Sequence, residues 1–125
     1  MTPAAERRAL LVATANPAPR FDYVVTLFGR VGEVGARLRL VPDRLILDPA
    51  SFGPYLAALA GADSLEALGA AMLEDVADRL VPRWVEVAVR GPLHQALFED
   101  RQPKWDGKAL LERADRLPGD WHAGC

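Results

Sequence analysis

Val34-Gly35-Ala36-Arg37-Leu38-Arg39-Leu40-Val41 alternates between apolar and charged side chains. Val34, Ala36, Leu38 and Leu40 fall on one side, Arg37 and Arg39 on the other. That period of two belongs to a strand with one face buried. Arg37 and Arg39 are therefore expected on a solvated face. In an assembly whose sheets close into a barrel, the same face would line the central opening and suit an anion. Upstream, Asp22 to Phe28 (DYVVTLF) is rich in β-branched and aromatic residues and predicts a strand. Gly29, Gly32 and Gly35 come next at short intervals, so Gly29 to Gly35 reads as a turn joining the two strands in a hairpin. Pro42-Asp43 turns the chain, and Arg44 to Leu47 is a short extended continuation.

Beyond the hairpin the period changes to that of helices. Asp48-Pro49 reads as a helix start, with Asp48 at the N-cap and Pro49 in the first turn. Phe52, Tyr55, Leu56 and Leu59 supply an apolar stripe. Pro54 falls within it, where a kink or a later start is expected. Gly61 ends this helix. Asp63 to Glu66 reads as a capping box opening a second helix. Leu65, Leu68, Met72, Leu73, Val76 and Leu80 recur there at three- and four-residue steps. After Pro82, Trp84 to Arg90 alternates again, with Val85, Val87 and Val89 on one side. Gly91-Pro92 breaks that strand, and Leu93 to Phe98 reads as a short strand or a helical turn. Gly107 to Leu117 predicts a last helix, stopped by Pro118-Gly119.

The fold class expected is α+β, an antiparallel sheet with helices on one face. Residues 1–20 form an N-terminal arm, 21–117 a single domain with its C-terminal helix, and 118–125 a loose tail. A sheet of so few strands leaves open edges. Pairing those edges between subunits would cover them, which predicts a homo-oligomer.

At 125 residues, 50% of them hydrophobic and 26% charged, the composition is that of an ordinary globular domain. The formal net charge of −2, with both signs interspersed, shows no basic patch, so nucleic acid is not an expected partner. No apolar run reaches the roughly 20 residues that span a bilayer, so no membrane association is expected. The short apolar stretch Ala9 to Ala15 reads as part of an ordered arm rather than a signal peptide. The single cysteine, Cys125, excludes an intrachain disulfide and fits a reducing, cytoplasmic compartment.

Candidate site residues are few. Glu66 reads, from the residues alone, as the capping-box residue. Asp48 is an N-cap that also has the chemistry of a ligand group. His94, just past a strand end, is a candidate acid or base. His122 and Cys125 have a ligand-like spacing, but two ligands do not complete a tetrahedral site, and no metal is expected. Trp84 and Phe52 read as core residues.

Asn16-Pro17 with Arg20, Asp22 and Tyr23, then Val41-Pro42-Asp43, Tyr55-Leu56 and Pro82-Arg83-Trp84-Val85-Glu86-Val87 succeed one another in an order that resembles the 7-cyano-7-deazaguanine reductases of queuosine biosynthesis. The resemblance spans about residues 16 to 90. It implies the tunnelling fold, a ββααββ unit whose sheets join between subunits into a barrel, with purine- or pterin-like ligands bound where subunits meet. It further implies that the glutamate at the start of the second helix, here Glu66, grips the amino and ring N–H groups of the base. Two departures bear on activity. The interval from Tyr23 to Pro42 has no cysteine nucleophile, without which a nitrile carbon is not attacked by the family's route. The Arg-Gly-Gly-Ile stretch that helps hold NADPH is reduced to Arg90-Gly91-Pro92-Leu93, which puts that cofactor in doubt, and no other is implied. The expectation is a degenerate reductase-like protein that binds a purine- or pterin-like molecule without reducing a nitrile. An enzyme of different chemistry using His94, Asp48 or Glu66, and a regulatory subunit without ligand, are the alternatives.

Overall fold

The computed structural model describes residues 1–117. Residues 118–125, and with them the tail, His122 and Cys125, lie outside the described residues. Among those described, the chain runs through helix α1 (Ala4–Leu10), strands β1 (Ala13–Ala15), β2 (Val25–Val31), β3 (Val34–Val41) and β4 (Leu45–Leu47), a 3₁₀ turn (Pro49–Ser51), and helices α2 (Phe52–Ala57) and α3 (Leu65–Leu80). Strands β5 (Trp84–Arg90) and β6 (Gln95–Arg101) and helix α4 (Lys108–Asp115) complete it. The main sheet is antiparallel in the order β2-β3-β5-β6, and β1 pairs with β4 in a separate ribbon. The fold is α+β: the β2–β3 hairpin is followed by β4 of the ribbon, then α2 and α3, then the β5–β6 hairpin.

Strand β2 starts later than the composition of Asp22 to Phe28 implies. Asp22 and Tyr23 are engaged elsewhere by side-chain bonds to Arg83 and Asn16. Pairing begins at Val25, opposite Leu40, and continues to Val31, opposite Val34. Gly29 is therefore a strand residue and not part of a turn. It is glycine for space: a Cβ there would run into the Leu56 side chain of α2. The hairpin turn is only Gly32-Glu33, with Gly32 at a φ of +60°, suited to the first position of a two-residue turn.

Strand β3 is central, paired with β2 on one side and β5 on the other. Its apolar side chains Ala36, Leu38 and Leu40 enter the main core with Val85, Val87 and Val89 of β5. Helices α2 and α3 cover this face with Phe52, Tyr55, Leu56, Leu68, Met72 and Val76. Each large aliphatic side chain fully removed from water contributes about 1.5–3 kcal/mol.

The other face departs from expectation. Arg39 is not solvated but 7% exposed, with Nε and Nη2 each 2.9 Å from the two oxygens of Glu86 directly opposite on β5. Arg37 reaches the same carboxylate at 3.1 Å. Trp84 is buried as expected, but on this second face, stacked on Trp105 at 6.5 Å. Helices do not keep to one side either: Asp115 of α4 meets Arg39 Nη1 at 2.8 Å across this face. Of the two conformations open to Leu93 to Phe98, most of the stretch takes the strand, in β6.

The N-terminal residues are built into the domain. Leu11 is fully buried, and Arg7 of α1 bonds the carboxylate of Asp75 on α3, which is wholly buried. Arg8 and the Tyr55 hydroxyl donate to the same carboxylate at 2.8 and 2.6 Å. Burial would push the Asp75 carboxyl up, but the bonds from Arg7, Tyr55 and Arg8 outweigh it and hold it below the ordinary aspartate value. Tyr55 is pushed well above the ordinary phenol value by burial and by the neighbouring carboxylate.

Candidate functional site

Three chain reversals meet at one end of the sheet. The β2–β3 hairpin brings Val31 and Val34, the β5–β6 connection brings Gly91 to His94, and the loop before α3 brings Gly61 to Ser64. Between them lies a mainly apolar cleft of about 390 Å³, in the size range of small-molecule sites.

Helix α3 begins beside this cleft. Its N-cap is Ser64 and not Asp63: the Ser64 hydroxyl accepts from the Ala67 N–H at 3.0 Å, and Ser64 has the extended backbone of a cap. Moving the cap by one residue places Glu66 at the second helical position, out of register for a capping box with Asp63. Its carboxylate instead meets His94 Nε2 at 2.8 Å. Both side chains are more than half exposed. The His94 bond is the main cause holding the Glu66 carboxyl below its ordinary value, with its own backbone N–H second. An ionised carboxylate accepts only, so His94 Nε2 is the donor. A negative charge in the first turn of a helix also suits the helix dipole.

Two of the three residues singled out from the sequence, Glu66 and His94, are thus brought together although 28 positions separate them. Asp48 is not with them. It caps the 3₁₀ turn, accepting from the Ala50 N–H at 3.1 Å, and does not line the cleft.

Most of the motifs that carry the resemblance gather at the opposite end of the sheet. Asn16 accepts from the Tyr23 hydroxyl at 2.6 Å and donates to the Asp43 carbonyl at 2.7 Å. Arg83 reaches Asp22, Asp43 and the carbonyl of Phe21, and Gln102 donates to Asp43. These bonds fasten the 16–24 loop across the strand ends. Their work is structural, since each polar group is satisfied by another of the set.

In the stretch aligned with the family's NADPH-holding segment, the Gly91 N–H donates to the His94 carbonyl at 2.9 Å, and Pro92 has no N–H to offer. No group of three or more His, Cys, Asp or Glu that could hold a metal occurs among the described residues. No helix among them is long and apolar enough to cross a membrane.

The Arg7–Asp75–Tyr55 network escaped the sequence reading. A signal was present: Asp75 stands three residues after Met72 and directly before Val76, on the apolar stripe of α3, where an acidic residue requires a partner. Glu86 likewise alternates into the same side as Trp84, but that Arg39 sits opposite it depends on register. Comparison of the chain with models of known protein families and with curated proteins gave no match.

Proposed function

We propose that this chain is a tunnelling-fold protein related to the 7-cyano-7-deazaguanine reductases, one that binds a purine- or pterin-like small molecule where subunits meet and does not reduce a nitrile. The observation that carries the reading is the exposed carboxylate of Glu66 in the first turn of α3, bonded to His94, which lines the apolar cleft. The resemblance places the base-gripping glutamate at that point of the chain. An aromatic heterocycle with adjacent N–H donors would set its rings against Val31, Val34 and Leu65 and its donor edge on Glu66. The interval from Tyr23 to Pro42 is filled by the β2–β3 hairpin and holds no cysteine, so the family's covalent step with a nitrile lacks its nucleophile. NADPH is not part of the proposal.

Thermal unfolding of the wild type and Glu66→Ala with 7-cyano-7-deazaguanine, guanine nucleotides and pterins tests it. A ligand that binds only the native state adds about 2.7 kcal/mol at a hundred times its Kd. A rise in Tm with one of these compounds is expected, abolished in Glu66→Ala. Equal rises in both proteins would remove Glu66 as the anchor, and no rise with any compound would remove the proposal.

A second reading has one observation in its favour. The 2.8 Å contact between His94 and Glu66 is that of a base and the group that orients it. It would make the chain an enzyme of different chemistry. Turnover lost in His94→Ala would support it over simple binding.

A further inference from the structure

The side of the main sheet turned away from α2 and α3 has a strongly basic end. Strand register sets the rows of side chains there. Leu97, Ala88, Arg37 and Phe28 stand next to one another from β6 across to β2, and Gln95, Arg90, Gly35 and Arg30 form the following row. Ala88 offers only a methyl group, and Gly35 has no side chain. These small residues leave a depression of about 370 Å³, lined by Arg37, Ala88, Arg90, Gln95 and Leu97 among others. Arg30, exposed at the end of its row, adds positive charge nearby without lining it.

The acids of this side lie further along the sheet and are engaged. Glu86 takes Nε and Nη2 of Arg39 at 2.9 Å and Arg37 at 3.1 Å. Asp115 meets Arg39 at 2.8 Å, and Glu99 meets Arg101 at 2.7 Å. Among the described residues no carboxylate lines the depression, Glu33 of the hairpin turn included.

We propose that this depression binds a phosphate monoester carried on a small apolar body, with Arg37 and Arg90 holding the phosphate and Leu97 meeting the body. Arg37 and Arg90 are diagonal neighbours on adjacent strands, about 7–8 Å apart at the backbone, within which two long side chains converge on one anion. The guanidinium fork matches two phosphate oxygens at once. It carries five N–H donors, so each arginine keeps the bonds it makes within the chain and still turns an edge to the ligand. Gln95 adds an amide donor. Leu97 is 65% exposed, an apolar surface beside the charge that a bare phosphate would leave in water. The volume is that of sites for small organic molecules. Glu66 lies on α3, on the other side of the sheet, and has no part in this site.

Calorimetric titration of phenyl phosphate into the full chain tests the proposal, with inorganic phosphate as a separate titrant. Phenyl phosphate is expected to bind, and inorganic phosphate to bind about tenfold more weakly or less. Arg90→Gln and Arg37→Gln should each weaken phenyl phosphate by about tenfold or more, because each removes a charge-assisted bond. Arg90→Lys keeps the charge without the fork and should fall between Arg90→Gln and the wild type. It also serves as the test should Arg90→Gln fail to fold. Glu66→Ala should bind phenyl phosphate as the wild type does. No binding by the wild type, or unchanged affinity in both Arg90 variants, would overturn the site. Inorganic phosphate binding as tightly as phenyl phosphate would overturn the class of ligand. Loss of binding in Glu66→Ala would move the ligand to the cleft and overturn the proposal, whereas failure of this site leaves the Glu66 reading standing.

Discussion

Asp75 shows how much one side chain can hold. It is an ionised group with no exposure, kept so by Arg7, Arg8 and Tyr55, and it ties α1 to α2 and α3. Asp75→Asn keeps the shape but leaves Arg7 buried beside a neutral amide. Breaking a buried pair in this way costs about 3 kcal/mol or more, to be read from urea unfolding near neutral pH. The folded-state carboxyl lies below its unfolded value. Its stabilisation is therefore complete above about pH 4 and is lost as the pH falls through the unfolded value towards the lowered one. The gap between wild type and Asp75→Asn should narrow steadily as the pH falls below about 4. A gap of unchanged size there would show that ionisation of Asp75 contributes nothing. Glu66 teaches a related lesson. Its acidity and its place near a helix start were legible in the sequence, while its partner was not, because His94 comes from a turn between two later strands.

Among the elements, α3 was the most legible, since an apolar stripe over four turns has one folded reading. Its start lies one residue from the expected place, because Asp63 and Ser64 are both good caps and the extended backbone of Ser64 decided between them. Its end has an unusual feature: Val81, a β-branched residue, adopts φ +46° in the left-handed region with its side chain 59% exposed. Val81 is the C-cap of α3, its N–H bonded to the Ala77 carbonyl, and L residues other than glycine lose about 1 kcal/mol in this conformation. Val81→Gly is expected to raise stability by about that amount, since little burial is lost. A lower midpoint in urea would mean that the Val81 side chain contributes more than its exposure indicates. Strand β3 has the expected limits at both ends, yet its charged side is not solvated as the alternation implied. Alternation tells which residues share a face, and it does not tell whether a second layer covers that face. Here Glu86 and the α4 segment cover Arg39.

The molecule as a whole leaves both outer strands of its main sheet, β2 and β6, unpaired on one side among the described residues. On the proposed reading these edges join between copies, and light scattering is expected to give a multiple of the chain mass; a monomer at micromolar concentration would remove the shared barrel from the proposal. Local physics, acting over a few residues at a time, was enough for the sequence to determine the α+β class, the hairpin-helix-helix-strand order, the limits of β3 and β5, and the apolar faces of α2 and α3. Period, turn residues and caps are properties of neighbours along the chain. Tertiary structure alone decided that Glu66 meets His94 beside a cleft, that Asp75 holds the N-terminal helix, that Arg39 is buried against Glu86, and that Asn16, Asp22, Asp43 and Arg83 form a fastening far from the cleft. Those outcomes depend on strand register and on which surfaces come to cover one another. Both are fixed by long-range packing, for which no short stretch of residues carries the signal.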